Sequence, residues 1–267
     1  AGKTKKESKN ITEEIQLSQK RQKLYASLAA YKTEHFIVRS RNKETSLQTA
    51  QFLEGILNRF SKELGVAKNI KWETPCTVTI FPDRNSFLPF ARGRDWSGGS
   101  AIHVMEIQPN GVISVLERRI QTFEMPEQQL FQTLSHETAH MIFRELLGPQ
   151  SQIPLWVDEG IALYLQGQNQ QNISKALINE MAKGKILPLR ILLAVKEYPP
   201  VENLFYLESS SLMDFLINNY GMEKFIELAW NLSIGKPADR TISSVYKEIF
   251  ENAEGLETAW LQFIRKK

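Results

Sequence analysis

The sequence predicts an α+β protein, with a mixed strand-and-helix first half and a helical second half. Three observations carry this. Short β-branched and aromatic runs, one pair of them joined by a hairpin signal, are confined to residues 34–126. Helical periodicity takes over at Glu127 and persists to the end of the chain. No apolar run approaches the roughly 18 residues a membrane helix needs; the best short one is residues 191–195. The expected organisation is therefore a basic arm and helix at 1–33, an α+β part with a β-hairpin at 34–126, and a helical part at 127–267.

Each element has its own signal. Residues 1–10 are polar and lysine-rich and are expected to be disordered. Residues 11–31 read as a helix, with Leu17, Leu24, Leu28 and Tyr31 at helical spacing. It either docks on the body or is the stalk of a removed membrane anchor. Residues 35–39 suit a strand, and 45–64 a long amphipathic helix built on Ala50, Leu53, Ile56, Leu57 and Phe60. A short strand is expected at 77–81, then a small helix over 84–90 capped by Asp83. Asn110-Gly111 sits between two extended runs, 100–108 and 112–116. Both residues tolerate positive φ, so a tight hairpin is expected. Helices follow at 127–146, 155–166, 172–183, 204–219, 222–232, 239–250 and 254–265. Gly148, Gly167 and Gly221 stand just past three of these ends.

Charge and cysteine content remove several function classes. The net charge is +3, but residues 1–32 hold eight Lys/Arg against three Asp/Glu, and the remainder holds 25 against 27. Basicity belongs to the arm, so a nucleic-acid partner is not expected. Cys76 is the single cysteine. It excludes a disulfide framework and a cysteine-based zinc site, and its apolar surroundings suit a buried thiol. The chain starts at Ala1 with a lysine-rich arm and has no disulfide. This fits an exported protein, periplasmic, extracellular or anchored through a removed segment; a cytoplasmic location is the alternative.

The chemistry is concentrated at His136-Glu137-Thr138-Ala139-His140, a His-Glu-x-x-His pattern. Residues four apart share one face of a helix, so two imidazoles can reach one ion. Zinc accepts neutral imidazole and usually takes three protein ligands plus water at a catalytic site. Glu137 stands beside the pair, placed to take a proton from that water. Chance yields the pentapeptide in about 1% of chains this size, so incidental histidines on a solvated helix face stay open as the alternative.

The next helix narrows the choice. Glu159 lies eighteen intervening residues after His140, inside the mostly apolar segment that begins at Pro154. A helical hairpin with its loop near Gly148 would fold this carboxylate back to the histidines. A carboxylate among apolar neighbours is unfavourable unless paired or metal-bound, which favours Glu159 over Asp158 as third ligand. Asp158 then faces solvent, or supports a ligating histidine from behind.

Together, His136-Glu137-x-x-His140 and Trp156-Val-Asp-Glu159-Gly-Ile-Ala-Leu-Tyr164 resemble the gluzincin metallopeptidases, nearest in look to the peptidase-MA-like group, whose second helix reads W-x-x-E-G-x-A-x-Y. The stretch Phe205-Tyr206-Leu-Glu-Ser-Ser-Ser-Leu212, with Phe215 and Tyr220-Gly221 beyond, looks like that group's later helix. The resemblance covers residues 35–267. It implies a thermolysin-like catalytic domain, a small mixed sheet with N-terminal helices followed by a helical subdomain, the active site between them. It implies one zinc ion on His136, His140 and Glu159, a metal-bound water activated by Glu137, and a peptide or protein substrate. Gluzincins also supply a Tyr or His for the oxyanion. Tyr206 is the candidate by position, with a core tyrosine as its alternative; His103 and Tyr164 are weaker candidates. An extended peptide would pair with an edge strand, and the hairpin offers one. Trp96-Ser-Gly-Gly99 leads into it as a flap or as an ordinary turn. No Gly-x-Met-x-Asn signature appears, which favours an endopeptidase. A catalytically silent zinc-binding module in envelope assembly, and a metal-free helical domain, are the other readings.

Overall fold

A computed structural model describes residues 16–66, 72–91, 97–108, 110–111, 113–148, 150–200 and 202–266. The expected disorder of 1–10 and the Trp96 end of the expected flap lie outside these residues. The described chain is mixed α and β, with one five-stranded sheet and many helices. It divides into two compact units, one of residues up to Asn58 and from 72 to Thr138, the other of 59–66 and from Ala139 onward.

The first unit is built on the sheet. Helix α1 (16–27) leads to strands β1 (Ala29–Lys32) and β2 (Phe36–Ser40), helix α2 (Lys43–Glu63), strand β3 (Cys76–Phe81) and the short helix α3 (Arg84–Phe87). Strands β4 (Gly99–Ile107) and β5 (Ile113–Phe123) follow, then helix α4 (Glu127–Leu147). The sheet order is β1-β2-β3-β5-β4. The two central pairings are parallel and the two outer ones antiparallel, so β4 forms one edge. Strand alternation puts Phe36, Val38, Cys76, Val78, Ile80 and Ile120 on one face, all buried. The opposite face carries Arg39, Thr79 and Gln121 in one cross-strand row, and α1 lies over it. There Thr79 donates to the Tyr25 hydroxyl at 3.3 Å, the Arg39 guanidinium sits 4.8 Å from the Tyr25 ring centre, and Leu17 and Leu24 pack on the Phe81, Phe87 and Phe90 cluster.

The expected cap is met closely, and the expected hairpin forms with a longer turn. Asp83 accepts from the Ser86 N–H at 2.8 Å and Ser86 reaches back to the Asp83 N–H, a full capping box. The hairpin forms between β4 and β5, but its connection is longer than the tight turn expected: Ile107 pairs with Ile113, and Gly111, at φ +81°, donates its N–H to the Gln108 carbonyl at 2.8 Å. One expectation fails: residues 29–31 do not continue the first helix. They form β1, because pairing with β2 satisfies the backbone of an alanine-rich stretch that helical spacing alone assigns to a helix.

The second unit is helical. It takes the end of α4, then α5 (Leu155–Gln166), α6 (Gln170–Ala182), α7 (Leu189–Ala194), α8 (Glu202–Tyr220), α9 (Met222–Ser233), α10 (Ala238–Val245) and α11 (Ala253–Lys266). Gly148, Gly167 and Gly221 all have positive φ, as their positions past helix ends require. Helix α7 is an addition, since six residues hold too little periodicity to read. Helix α10 stops at Val245, five residues before its expected end, where Tyr246 turns into a ring cluster with Tyr220 and Phe250. Helices α5 and α8 cross in close contact at Gly160. A Cβ there would lie 2.8 Å from the Ser209 carbonyl oxygen and 2.9 Å from Met213 Cε. Among the described residues no helix is long and apolar enough to cross a membrane.

Candidate metal centre

Helix α4 is unbroken from Glu127 to Leu147, so His136 and His140 stand one turn apart on one face. Pro154 starts α5, and residues 156–163 of that helix are all buried. The apolar run forces α5 inward and carries two carboxylates with it, Asp158 at 6% and Glu159 at 2% exposure. One ligand atom each from His136, His140 and Glu159 lie within 4.8 Å of one another. His140 Nε2 is 3.7 Å from Glu159 Oε2. An ion holding donors tetrahedrally at about 2.0–2.1 Å sets those donors about 3.4 Å apart. Two imidazoles and a carboxylate are donors that zinc accepts, and the His140–Glu159 pair at 3.7 Å is near that spacing.

The support behind these ligands is also built in. The Nδ1–H of His140 donates to Asp158 Oδ1 at 2.9 Å, which turns Nε2 toward Glu159. Arg144, one turn further along α4, donates to Asp158 Oδ2 at 2.5 Å. Desolvation alone would lower the His140 pKa, but the Asp158 and Glu159 carboxylates outweigh it and raise the imidazole to about 9. Burial opposes ionisation of Asp158, yet His140 and Arg144 hold its carboxyl well below the ordinary range.

Sequence reasoning therefore named the three clustered residues, and Asp158 takes the supporting alternative. It missed two others. Arg144 was legible as the residue four after His140. Tyr198 was not, because it lies in the segment before Pro199-Pro200 with no periodicity. The Tyr198 hydroxyl donates to Glu159 Oε1. The Tyr206 ring packs 6.1 Å from that of Tyr198. Glu137 is 7% exposed, on the same helix as the histidines. His103 sits on β4 opposite Arg118, and Tyr164 donates to Asn218 Oδ1 at 3.3 Å. Neither is among the clustered ligand residues.

The family model of the peptidase MA superfamily matches residues 75–266. The chain belongs to this superfamily. The peptidase MA match takes in β3 through α11, and with them His136, Glu137, His140, Asp158, Glu159, Tyr198 and Tyr206. It makes the chain a metallopeptidase-like module with a triad able to hold a metal. No curated protein matches the chain.

Proposed function

We propose that this chain is a zinc-dependent metallopeptidase of the gluzincin type, with a thermolysin-like catalytic domain that hydrolyses bonds within peptide chains. The observation that carries the reading is the convergence of His136, His140 and Glu159 within 4.8 Å. These three residues would hold the ion. Zinc, when bound, supplies a Lewis acid that polarises the scissile carbonyl and acidifies water. Glu137 takes the proton from the attacking water and passes it to the departing amine. Asp158, braced by Arg144, keeps the His140 ring oriented.

The oxyanion role goes to Tyr198, whose hydroxyl already reaches the ligand carboxylate, with the Tyr206 ring 6.1 Å from its own. This departs from the assignment of Tyr206 by position alone. Strand β4 suits an extended peptide because the sheet order leaves it at an edge.

The test pairs metal analysis with Glu137→Gln. The expected result is about one zinc per chain in both proteins, with hydrolysis of a quenched-fluorescent peptide library present in the wild type and lost in the variant. Zinc bound without cleavage by the wild type would instead support the silent binding module. A freshly purified protein without stoichiometric metal would overturn both.

A further inference from the structure

Strand β4 opens on a pair of glycines, and the second of them meets helix α4. A Cβ at Gly99 would lie 2.9 Å from Glu137 Cγ, 3.0 Å from Glu137 Oε1 and 2.9 Å from Thr133 Cγ2. Side chains do not approach so closely, so only a glycine leaves room for Glu137 as it stands. Gly99 has no positive φ, so the demand is for space and not for a backbone conformation. Its neighbour Gly98 is different. A Cβ there would meet Thr133 at 3.5 and 3.7 Å, which is ordinary contact.

The backbone at this point is held firmly. Thr122 Oγ1 donates to the Gly98 carbonyl at 2.8 Å, and the Gly99 N–H donates to Ser97 Oγ at 3.2 Å. Ser97 Oγ in turn donates to the Gly99 carbonyl. Arg84 reaches the Ser97 carbonyl at 3.4 Å, and Gly99 pairs in register with Thr122. A pinned backbone is a rigid wall. Thr133 and Glu137 are four residues apart and present the same face of α4 to it.

We infer that Gly99 is a positioning residue for Glu137, fixing the direction of the carboxylate by presenting bare backbone against its side chain. The inference rests on Glu137 being the base proposed above. An added methyl must push the Glu137 side chain into another rotamer, and a base displaced by about 1 Å loses on the order of 100-fold in rate. The three atoms nearest that Cβ belong to Glu137 and Thr133, not to His136, His140 or Glu159.

The experiment compares Gly99→Ala, Gly98→Ala and the double variant Gly99→Ala/Thr133→Ala with the wild type. Gly99→Ala is expected to lose 10- to 100-fold in kcat, with KM and the zinc dissociation constant both within about twofold of the wild type. A crystal structure of its zinc-loaded form is expected to show a changed Glu137 rotamer. Gly98→Ala is expected to keep wild-type kcat. The double variant removes the Thr133 clash and keeps the Glu137 one, so its melting temperature should recover while kcat stays low. Wild-type kcat in Gly99→Ala overturns the inference alone, as does recovery of kcat together with stability in the double variant. A wild type that binds zinc and cleaves nothing removes the peptidase reading and the inference together.

Discussion

At the residue scale, the proposed oxyanion role has two candidates, Tyr198 and Tyr206. Tyr198 and Tyr206 pack ring to ring, and the Tyr198 hydroxyl donates to Glu159. Removal of a hydroxyl that meets developing negative charge should reduce kcat and leave KM nearly unchanged. Tyr198→Phe is expected to lower kcat roughly 100-fold, by analogy with the loss of one oxyanion donor. Tyr206→Phe keeps the ring that supports Tyr198 and should stay within about fivefold of wild type, since a volume-conserving change disturbs packing little. Steady-state kinetics on one fluorogenic peptide decides between them. The reverse ranking would return the role to Tyr206.

At the element scale, α8 is the helix on which the second unit's packing turns. Its buried face includes Glu208 and three consecutive serines, and Trp260 donates to Ser211 Oγ at 3.1 Å. Glu208 is fully buried, and its Oε1 accepts from the Leu187 N–H at 2.8 Å. Desolvation dominates and raises its pKa to about 8, with the Leu187 bond pulling the other way. The folded chain therefore keeps a proton between pH 4.5 and about 8 that the unfolded chain releases. Stability from this group is complete below the unfolded pKa and is lost as pH rises toward the folded one. Glu208→Gln keeps an oxygen for the Leu187 N–H and removes the titration. Urea unfolding should show the variant more stable than wild type at pH 8, by on the order of a few kcal/mol, with the gap closing at pH 5. A gap that does not change with pH would rule out this account of Glu208.

At the scale of the whole molecule, the proposed metal binding would be linked to folding. The ligands come from separate stretches of sequence, so the unfolded chain holds no preformed site. An ion that binds only the folded form stabilises it by about 4 kcal/mol at 1,000 times its dissociation constant. Zinc should accordingly raise the melting temperature and a chelator should lower it. Asp158→Asn keeps a partner for His140 but loses the charge and weakens the Arg144 brace. It should bind zinc 10- to 100-fold less tightly and need that much more metal for the same thermal shift. A melting temperature indifferent to zinc and chelator would remove the linkage.

The linear chain was enough for the elements that depend on local periodicity and local chemistry. Helices α2, α4, α5 and α8, the Asp83 cap and the Asn110-Gly111 hairpin follow from spacing, turn preference and hydrogen-bonding capacity within a few residues. His136, Glu137 and His140 were legible for the same reason, since one helical turn brings them together. Glu159 was legible because a carboxylate in an apolar helix demands a partner. Only the tertiary structure decided β1, which exists because β2 offers it a ladder. Only it brought Tyr198, from a proline-flanked segment without periodicity, to Glu159. Only it showed that Gly99 lies against Glu137. Periodicity reports which face of an element is buried. Which residues meet across elements is settled by how the buried faces pack, and a single chain read alone carries no signal for that.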